Sequence, residues 1–563
     1  MTAHDNVAPD GPELLYVPLG GTGEIGMNLG LYGYGSADGH RWLMVDCGIT
    51  FGDDTTPGVE IILPDPSFIA ERADRLEGLL LTHGHEDHLG AIPYLWRRFR
   101  CPIYATPFTA GLLRRKLEDA KLANEVPLHV IDLKSRLKIG PFDLQMITVT
   151  HSIPEANSVV IRTPVGTAVH SGDWKFDPDP VIGEVSDLEA LAKVGNEGVH
   201  AFICDSTNVL NEKRSGSEGA LLETLTNVIS RHKKKVAVAC FATNVARLNT
   251  IAKAARANGR EVALFGRSLW RLLAVAKENG YVAGLPNFIK ESEAGYIPDE
   301  KLLVVCTGSQ GEPRAALSRI ARGEHPHLSL GRGDAVIFSS RVIPGNERAI
   351  GRLQNQLVEK SVSLITWKDD FIHVSGHPSA PEMREMYGLL RPRIAVPQHG
   401  ESRHLLAHAA LATEMGAEQV VVIGDGDILR LAPGPAEVVD SAPVGRLTLE
   451  GNRIAALDSE IHMGRKRALY NGHVVMTVVV DKNGDILGTP QMTTQGLLDE
   501  EIADDAEIAA QVLDAVSHAA DKLKRAERRD DAILAEALRI AVRRAFRTSL
   551  DKRPVTKIHL VRV

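Results

Sequence analysis

The mix of strand-like and helix-like segments changes twice along the chain, and this change constrains the fold more than any other feature. Residues 13–210 contain short apolar, β-branched runs separated by Gly and Asp turns, with helical periods only between some of them. From about Gly216, strands alternate with helices, which predicts a parallel sheet covered on both faces. The first pattern returns near Ser361. One domain inserted into another explains this return.

A chain of 563 residues is too long for a single core of the usual ~100–200 residues. We therefore predict an α/β protein with two parts of a first domain at 1–214 and 361–432, an inserted βα domain at 215–360, a Pro- and Gly-rich linker at 433–455, and a small C-terminal α/β domain at 456–563. In the last domain, Asn483-Gly484 predicts a hairpin turn.

Charge, hydropathy and cysteine spacing exclude several classes of protein. No apolar run reaches the ~18–20 residues that a membrane span needs. Residues 1–10 are polar and acidic, so we expect no secretory signal there. The five cysteines are scattered, which is typical of reduced thiols and predicts a cytoplasmic protein.

The net charge of −8 hides a basic C-terminal segment. Residues 520–563 contain thirteen Lys and Arg against six Asp and Glu, a net charge of +7. Two interpretations stay open: a solvated helix face with charges of both signs, or a tail that helps to hold a polyanion. The apolar faces of the C-terminal helices also need a partner, so oligomerisation into a homodimer or homotetramer competes with polyanion contact as the role of this domain.

A glycine motif near the N-terminus imitates a dinucleotide-binding fingerprint. Residues 21–26 fit GxGxxG, follow a strand, and precede Asp46 by twenty residues. That fingerprint also requires a helix to begin at the glycines. The next thirteen residues contain four glycines and no helical period, so we predict a β-hairpin instead.

The strongest chemical signal is the run Thr82-His83-Gly84-His85-Glu86-Asp87-His88, directly after a predicted strand. Imidazole and carboxylate side chains in one turn are the ligand types of Zn²⁺ or Mn²⁺. Two histidines two residues apart on extended backbone can point to the same side, and the following Asp and His can serve a second ion. A lone histidine would more often be structural.

Two ions need more ligands than this turn supplies. Further candidates follow other predicted strands: His151, Asp173 and His399. Asp173 has the chemistry to bridge two ions, because a carboxylate can offer one oxygen to each. Asp46 can support a ligand from behind. Taken singly, each of these residues fits an ordinary loop histidine or turn aspartate.

HGHEDH, with the segments of Asp46, His151 and Asp173 in matching order, resembles the metallo-β-lactamase superfamily, whose fold is an αββα sandwich. The inserted βα unit resembles the β-CASP domain, whose motifs are similar to the segments of Asp205, His377 and His399. The nearest resemblance is to the ribonuclease J family, through GGTGEIGMN, LTHGHEDHLGAIPYL, SGDWKFD, CDSTN, TGSQGEP, HVSGH and PQHGE. It covers residues 14–431 most strongly.

The resemblance implies two divalent ions per subunit, Zn²⁺ or Mn²⁺. One would be bound by His83, His85 and His151, the other by Asp87, His88 and His399, with Asp173 between them. A histidine at the position of His399 is what RNA-cleaving members carry. The one departure is Pro378 after HVSGH, which stiffens the loop without removing a functional group.

The resemblance also implies a 5′-to-3′ exonuclease acting on single-stranded RNA, with a preference for 5′-monophosphate ends and with endonuclease activity. Its work would be RNA decay and 5′ processing of rRNA and mRNA, alongside RNA-decay protein partners. His377 would give a proton to the leaving oxygen, Asp205 would orient it, and Asp87 would serve the chemistry as well as the metal. Phosphate contacts would come from Ser375, Gly376, His377, Ser309 and Arg267; for the last two, ordinary strand-end turns are the competing interpretation.

The cleft between the catalytic domains is the expected RNA track, with Arg247, Arg267 and Arg314 as candidate contacts. Two alternatives remain. One is a DNA-directed or small-ester hydrolase of the same fold, against which His399 and the insertion count. The other is a non-catalytic scaffold that recruits decay factors, against which the complete ligand set counts.

Overall fold

The computed structural model describes residues 11–36, 39–343, 345–499 and 501–563. The segment 1–10, where we expect no secretory signal, lies outside the described residues. The chain forms two compact units: one comprises residues up to Thr50 together with Ile61–Leu447, and the other comprises Phe51–Glu60 together with Thr448–Val563. None of the helices in the described ranges has the length and apolar composition that crossing a bilayer requires.

The chain up to residue 205 supplies most strands of two sheets. The strands are β1 (Glu13–Gly20), β2 (Thr22–Gly23), β3 (Leu29–Gly35), β4 (Arg41–Val45), β5 (Thr50–Phe51), β6 (Ile61–Pro64), β7 (Leu76–Leu80), β8 (Ile103–Ala105), β9 (Leu128–Val130), β10 (Arg136–Ile139), β11 (Phe142–Thr148), β12 (Asn157–Thr163), β13 (Gly166–His170) and β14 (Ala201–Asp205). The helices are α1 (Ser67–Ala70), α2 (Glu86–Leu89), α3 (Ile92–Phe99), α4 (Pro107–Asp119) and α5 (Leu188–Glu197), with a 3-10 turn at Ala73–Arg75.

The inserted domain is a parallel sheet between two layers of helices. Its strands are β15 (Val236–Ala239), β16 (Glu261–Phe265), β17 (Ile289–Lys290), β18 (Leu302–Cys306), β19 (Ala335–Phe338) and β20 (Ser363–Ile365), and its helices are α6 (Leu221–Ser230), α7 (Val245–Ala257), α8 (Arg267–Glu278), α9 (Ala316–Arg322) and α10 (Glu347–Glu359), with 3-10 turns at Glu291–Tyr296 and Asp299–Lys301. The strand order is β17-β16-β18-β15-β19-β20, with every pair parallel. Helices α6 and α7 pack on one face, and α9 and α10 pack on the other.

The first domain resumes after the insertion. It adds α11 (Ala380–Leu390), β21 (Ile394–Gln398), β22 (Gly400–Glu401), α12 (Ser402–Glu414), β23 (Gln419–Val420), β24 (Asp427–Ala432) and β25 (Glu437–Ser441). β21 pairs in parallel with β14, so the insertion leaves and re-enters between two neighbouring strands. The expected linker is therefore partly strand, because residues 437–441 form an edge of the first sheet beside β24. The remaining domain boundaries stay predictions.

Two sheets form a sandwich, with orders β25-β24-β1-β3-β4-β7-β8-β9 and β10-β11-β12-β13-β14-β21-β23. Apolar side chains from both, such as Tyr16, Leu43, Met146 and Ile203, share one core. The outer face of the second sheet is covered by α5, α11 and α12. On the first sheet, the ring of Phe68 in α1 meets Trp42 edge-on at 5.3 Å. This is the αββα arrangement that the sequence predicts.

The glycine motif does not begin a helix. β1 runs into β3, which pairs antiparallel with both β1 and β4, so the hairpin prediction is confirmed and no dinucleotide fold forms at this point. Gly48 shows why this region is rich in glycine. A Cβ there would lie 1.7 Å from the carbonyl oxygen of Asp87, so only glycine admits this close backbone approach.

The second unit contains a three-stranded sheet packed on two long helices. Its elements are β26 (Arg446–Glu450), β27 (Arg453–Ala456), α13 (Glu460–Asn471), β28 (His473–Val480), β29 (Gln491–Gln495), α14 (Ala503–Asp521), α15 (Arg525–Arg528), α16 (Asp531–Leu550) and β30 (Val555–Arg562). The sheet order is β29-β28-β30. After the Asn483-Gly484 turn only a single bridge, Val480 to Ile486, forms before β29 resumes the ladder.

Arg247 is a structural cation and not an RNA contact. Its side chain is buried, pairs with Glu218 through two nitrogens, and donates to the carbonyl and hydroxyl oxygens of Ser339 at 2.7 Å. Ser339 in turn donates to the carbonyl oxygen of Ile372. Arg247, a candidate RNA contact from the sequence, therefore stabilises the segment that leads from the inserted sheet towards His377. Arg267 and Arg314 are exposed.

Candidate metal centre

The predicted ligands follow the carboxyl ends of strands that run in the same direction. His83 to His88 follow β7, and Asp46 follows its parallel neighbour β4. In the second sheet, β13, β14 and β21 are parallel, and β11 has the same direction because two antiparallel pairings separate it from β13. The segments that carry His151, Asp173, Asp205 and His399 therefore leave at one end of the sandwich.

Three histidines and Asp173 form the first ligand group. The ring atoms His83 Nε2 and His151 Nε2 lie 3.1 and 3.0 Å from His85 Nδ1. His151 Nδ1 donates to the carbonyl oxygen of Gly376 at 2.6 Å, so its Nε2 carries a lone pair that faces the cluster. Asp173 Oδ2 is 3.6 Å from both Nε2 atoms. Their ligand atoms lie within 4.8 Å of one another, which fits one metal ion.

The second group contains Asp87, His88 and His399, again with Asp173. Asp173 Oδ2 lies 3.2 Å from His88 Nε2, and Asp87 Oδ2 lies 3.3 Å from His399 Nε2. His399 Nε2 is buried, and its contact with Asp87 lacks the geometry of a hydrogen bond, so this nitrogen can turn to a cation instead. The donor set of imidazole nitrogens and carboxylate oxygens suits Zn²⁺ and Mn²⁺. Asp173 belongs to both groups.

Burial keeps the first group of histidines in the form that binds metal. Loss of solvent lowers the pKa of His83 and His151 well below the usual range and lowers that of His85 to about 4. A neutral imidazole has a free lone pair, whereas a protonated one has none. These rings therefore need no deprotonation before a metal ion binds at neutral pH.

Asp46 holds the turn of the metal ligands from behind. Its carboxylate accepts from the backbone nitrogen and the hydroxyl of Thr82, both at 2.8 Å, and lies 2.7 Å from His88 Nδ1. Thr82 in turn contacts His83 Nδ1 at 3.0 Å. One carboxylate thus contacts a ring of the second group directly and a ring of the first group through Thr82; its support of metal ligands stays a prediction.

His377 and Asp205 stand at the margin of the cluster. His377 Nδ1 is 2.8 Å from Asp205 Oδ2 and 3.9 Å from Asp173 Oδ2. Burial opposes the charge on His377, but the carboxylates of Asp205 and Asp173 raise its pKa above the usual value. Asp205, His377, His399 and Asp173 also form a third group with ligand atoms within 4.8 Å.

The predicted phosphate contacts divide between two places. Ser375 and Gly376 lie in the loop of His377, and a Cβ on Gly376 would come within 2.9 Å of the ring of His151. Ser309 and Arg267 instead follow β18 and β16 at the carboxyl edge of the inserted sheet. Ser309 is buried, whereas Arg267 is exposed. The structure brings Ser375 and Gly376 to the metal ligands, and it places Ser309 and Arg267 on the inserted sheet.

Sequence reasoning missed Asn28. Its amide nitrogen lies 3.1 Å from His88 Nε2 and donates to the carbonyl oxygen of Asp87 at 3.1 Å. Asn28 ends the glycine-rich stretch that imitates a dinucleotide motif. The stretch therefore serves the metal centre, because its turn carries a polar side chain to the ligands.

Comparisons with known proteins agree with this architecture. Family models match as the beta-lactamase superfamily domain (residues 41–192), the ribonuclease J beta-CASP domain (233–357), the Zn-dependent metallo-hydrolase RNA specificity domain (368–423) and the ribonuclease J C-terminal domain (463–563). The prediction of a metallo-β-lactamase fold with an inserted β-CASP domain and a further C-terminal domain is confirmed.

Whole proteins named ribonuclease J are similar along most of the chain. The protein of Sinorhizobium meliloti is 45% identical over 563 residues, which cover 100% of this chain and 99% of the relative. Those of Corynebacterium glutamicum (38% identical, 86% of this chain and 67% of the relative) and Thermus thermophilus (35% identical, 83% and 82%) are more distant.

Replacing Asp46 by Asn should weaken metal binding without unfolding the site. Asn keeps the shape and tolerates the positive φ of 62° at this position, but it cannot accept all three of the hydrogen bonds that the carboxylate accepts. Loss of such a supporting partner typically lowers metal affinity by ~10–100-fold. Competition with a chromophoric chelator for Zn²⁺ measures the affinity. Asp143→Asn, on an exposed position of β11, is the matched control, and equal affinities in both variants would contradict the assignment.

Proposed function

The chain belongs to the ribonuclease J family, and on that premise we propose that this metal-dependent ribonuclease degrades single-stranded RNA from the 5′ end, prefers 5′-monophosphate ends and also cleaves internally. The observation that best supports this proposal is the hydrogen bond from His151 to the carbonyl oxygen of Gly376. Because the Ser375–His377 loop bonds directly to a predicted metal ligand, a terminal phosphate held by that loop would lie beside the metal centre. The first phosphodiester would then be the one that is cut.

We further propose two ions per subunit, Zn²⁺ or Mn²⁺. His83, His85 and His151 would hold one, Asp87, His88 and His399 would hold the other, and Asp173 would bridge them. When bound, such ions lower the pKa of water and offset negative charge on the phosphate. The protein's own part is to fix the ligands, through Asp46 and the backbone carbonyl of Gly376.

In this proposal His377 supplies the proton for the leaving 3′ oxygen. Burial opposes the charge of Asp205, but His377 and His399 lower the pKa of Asp205, so it stays an acceptor. His377 Nδ1 therefore donates to Asp205, and Nε2 is the nitrogen that can give a proton to substrate. Asp205 acts as the positioning residue. Asp87 would take part as a metal ligand, and its carboxylate also contacts the ring of His399.

The Ser375–His377 loop has the donors that a terminal phosphate requires. Ser375 Oγ accepts from the backbone nitrogen of His377 at 3.1 Å, which leaves the hydroxyl proton free to bond an anion. Ser309 and Arg267, from the inserted sheet, would complete the contacts. A triphosphate is larger and more highly charged than a monophosphate and would fit this set of donors less well.

We also propose that the C-terminal domain joins subunits into a homodimer or a homotetramer. β30 is an edge strand, so one row of its backbone groups has no neighbouring strand within the sheet. Leu469 and Tyr470, at the end of α13, expose 63% and 60% of their surfaces. The five cysteines are buried and form no disulfide, which favours the reducing cytoplasm as the location of the protein. RNA-decay proteins are the proposed protein partners.

Digestion of 5′-labelled single-stranded RNA tests the proposed direction. With Mn²⁺ or Zn²⁺ added after chelation, we expect prompt release of labelled mononucleotide from 5′-monophosphate RNA and slow release from 5′-triphosphate RNA, because the end must enter a site made for one phosphate. The products are resolved on a denaturing gel. Internal fragments at equal rates from both substrates would make the enzyme chiefly an endonuclease.

His377→Ala should keep the metal and lose turnover. Removal of a positioned proton donor typically lowers kcat by ~10²–10⁴-fold. Metal content by atomic emission and single-turnover cleavage are measured together, with exposed His129→Ala as the control. Unchanged turnover would remove His377 from the mechanism, and loss of metal along with activity would make it a ligand of the third group.

Light scattering of the full chain should give two or four times the subunit mass of 61.1 kDa. The exposed edge strand and the apolar side chains of the C-terminal domain are the physical reason. A mass of one subunit across the working concentration range would refute the oligomer and leave the activity proposal untouched.

A further inference from the structure

Trp367 lies at the tip of a turn whose conformation is fixed. The turn follows β20, and both the backbone nitrogen and the hydroxyl of Thr366 donate to Asp369 Oδ2, at 2.8 and 2.7 Å. Asp370 at the end of the turn pairs with Arg231 at 2.8 Å. The indole is therefore presented by an ordered loop, which lowers the entropic cost of binding anything to it.

Trp367 differs from the other four tryptophans of the chain in its exposure. Its exposed fraction is 43%, whereas Trp42, Trp96 and Trp174 are buried. Trp270 is half-buried and donates from Nε1 to the carbonyl oxygen of Leu264. Trp367 is thus the tryptophan whose ring face is most open to a ligand.

Two cations stand beside the indole. The guanidinium of Arg341, from the loop after β19, is 5.5 Å from the ring centroid, and the ammonium of Lys368 is 5.7 Å away. A guanidinium packed on a ring comes closer, as Arg72 does on Phe68 at 4.1 Å. Both cations of Trp367 nevertheless lie over its ring, within the ~6 Å of a cation–π contact. A base that stacks on this indole would bring its phosphates to the two cations.

The position of Trp367 along the inserted sheet relates it to the proposed end-recognition residues. The carboxyl ends of parallel strands share one edge, here called the strand-end edge, which carries Arg267 after β16, Ser309 after β18 and Trp367 after β20. Three strand spacings separate β18 from β20 and four separate β16 from β20, which at ~4.8 Å each gives roughly 14 and 19 Å. One RNA strand of a few nucleotides can span this interval.

We propose that Trp367 is a stacking platform for a base of single-stranded RNA, with Arg341 and Lys368 contacting the phosphates on either side of that base. Because every base has a stacking face, the platform would accept any sequence but would exclude duplex RNA, whose bases are already stacked. The distance of several nucleotides between Trp367 and the 5′-end pocket rests on the proposed function. The stacking role of Trp367 rests only on the geometry of its own loop.

Binding to a chelated enzyme tests the platform without cleavage. Trp367→Ala should weaken binding of a long single-stranded RNA by about 10-fold, whereas Trp367→Phe, which keeps a stacking face, should lose much less. Tyr296→Ala is the control, because Tyr296 is an aromatic side chain that is 86% exposed and lies between β17 and β18. An affinity for long RNA that is equal in Trp367→Ala and Tyr296→Ala would overturn the proposal.

Fluorescence and kinetics give independent readouts. Single-stranded RNA should quench the emission of the exposed indole and duplex RNA should not, and the quenching should be absent from Trp367→Ala. With metal restored, the ratio of kcat/KM for long RNA to that for a trinucleotide should fall about 10-fold in Trp367→Ala, through KM. If Trp367→Ala changed the number of subunits in the assembly but not the affinity for RNA, this surface would be a protein contact and the proposal would be overturned. The unchanged protein could also show no preference for 5′-monophosphate RNA while Trp367→Ala still binds long RNA more weakly. That result would refute the proposed end recognition and leave the stacking platform standing.

Discussion

The buried carboxylate of Asp173 is the interaction on which the rest of the site depends. Ring nitrogens of His83, His88, His151, His377 and His399 lie within 3.2 to 3.9 Å of its oxygens, although Asp173 is only 2% exposed. A desolvated carboxylate among imidazoles is stable only when cations or protons balance it. Because these rings follow four separate strands, β7, β11, β20 and β21, both sheets of the sandwich and the inserted sheet must be complete before the balance exists.

The insertion extends this dependence to the inserted sheet. It enters and leaves between β14 and β21, so its last loop returns to the metal ligands. The buried pair of Arg247 and Glu218 fastens that loop through Ser339, and Gly376 bonds the ring of His151 at its end. Hydrogen bonds at Ile372 and at Gly376 thus hold this segment at both ends, to the inserted sheet and to a predicted metal ligand.

The sequence predicts well what is local. The histidines of residues 83–88 sit in one turn, and His151, Asp173 and His399 follow strands with recognisable turns. Asn28 could not be found in this way, because its contact with His88 exists only once β1 and β3 pair. Arg247 fails for the same reason: a basic residue in a helix appears solvated until Glu218, 29 residues away, is folded against it. β25, in the expected linker, is a strand because β24 offers it an edge.

The overall charge shows why the binding of RNA must be concentrated in a few contacts. A net charge of −8 repels a polyanion at long range, so attraction has to come from contacts shorter than a Debye length, ~8–10 Å. The proposed contacts of this kind are the metal ligands, the Ser375–His377 loop and the indole of Trp367. Stacking is little affected by salt, unlike phosphate pairing. On the proposed function, the mononucleotide product would lose the contact with Trp367 and every contact with the downstream chain, so an acidic ribonuclease would release it readily.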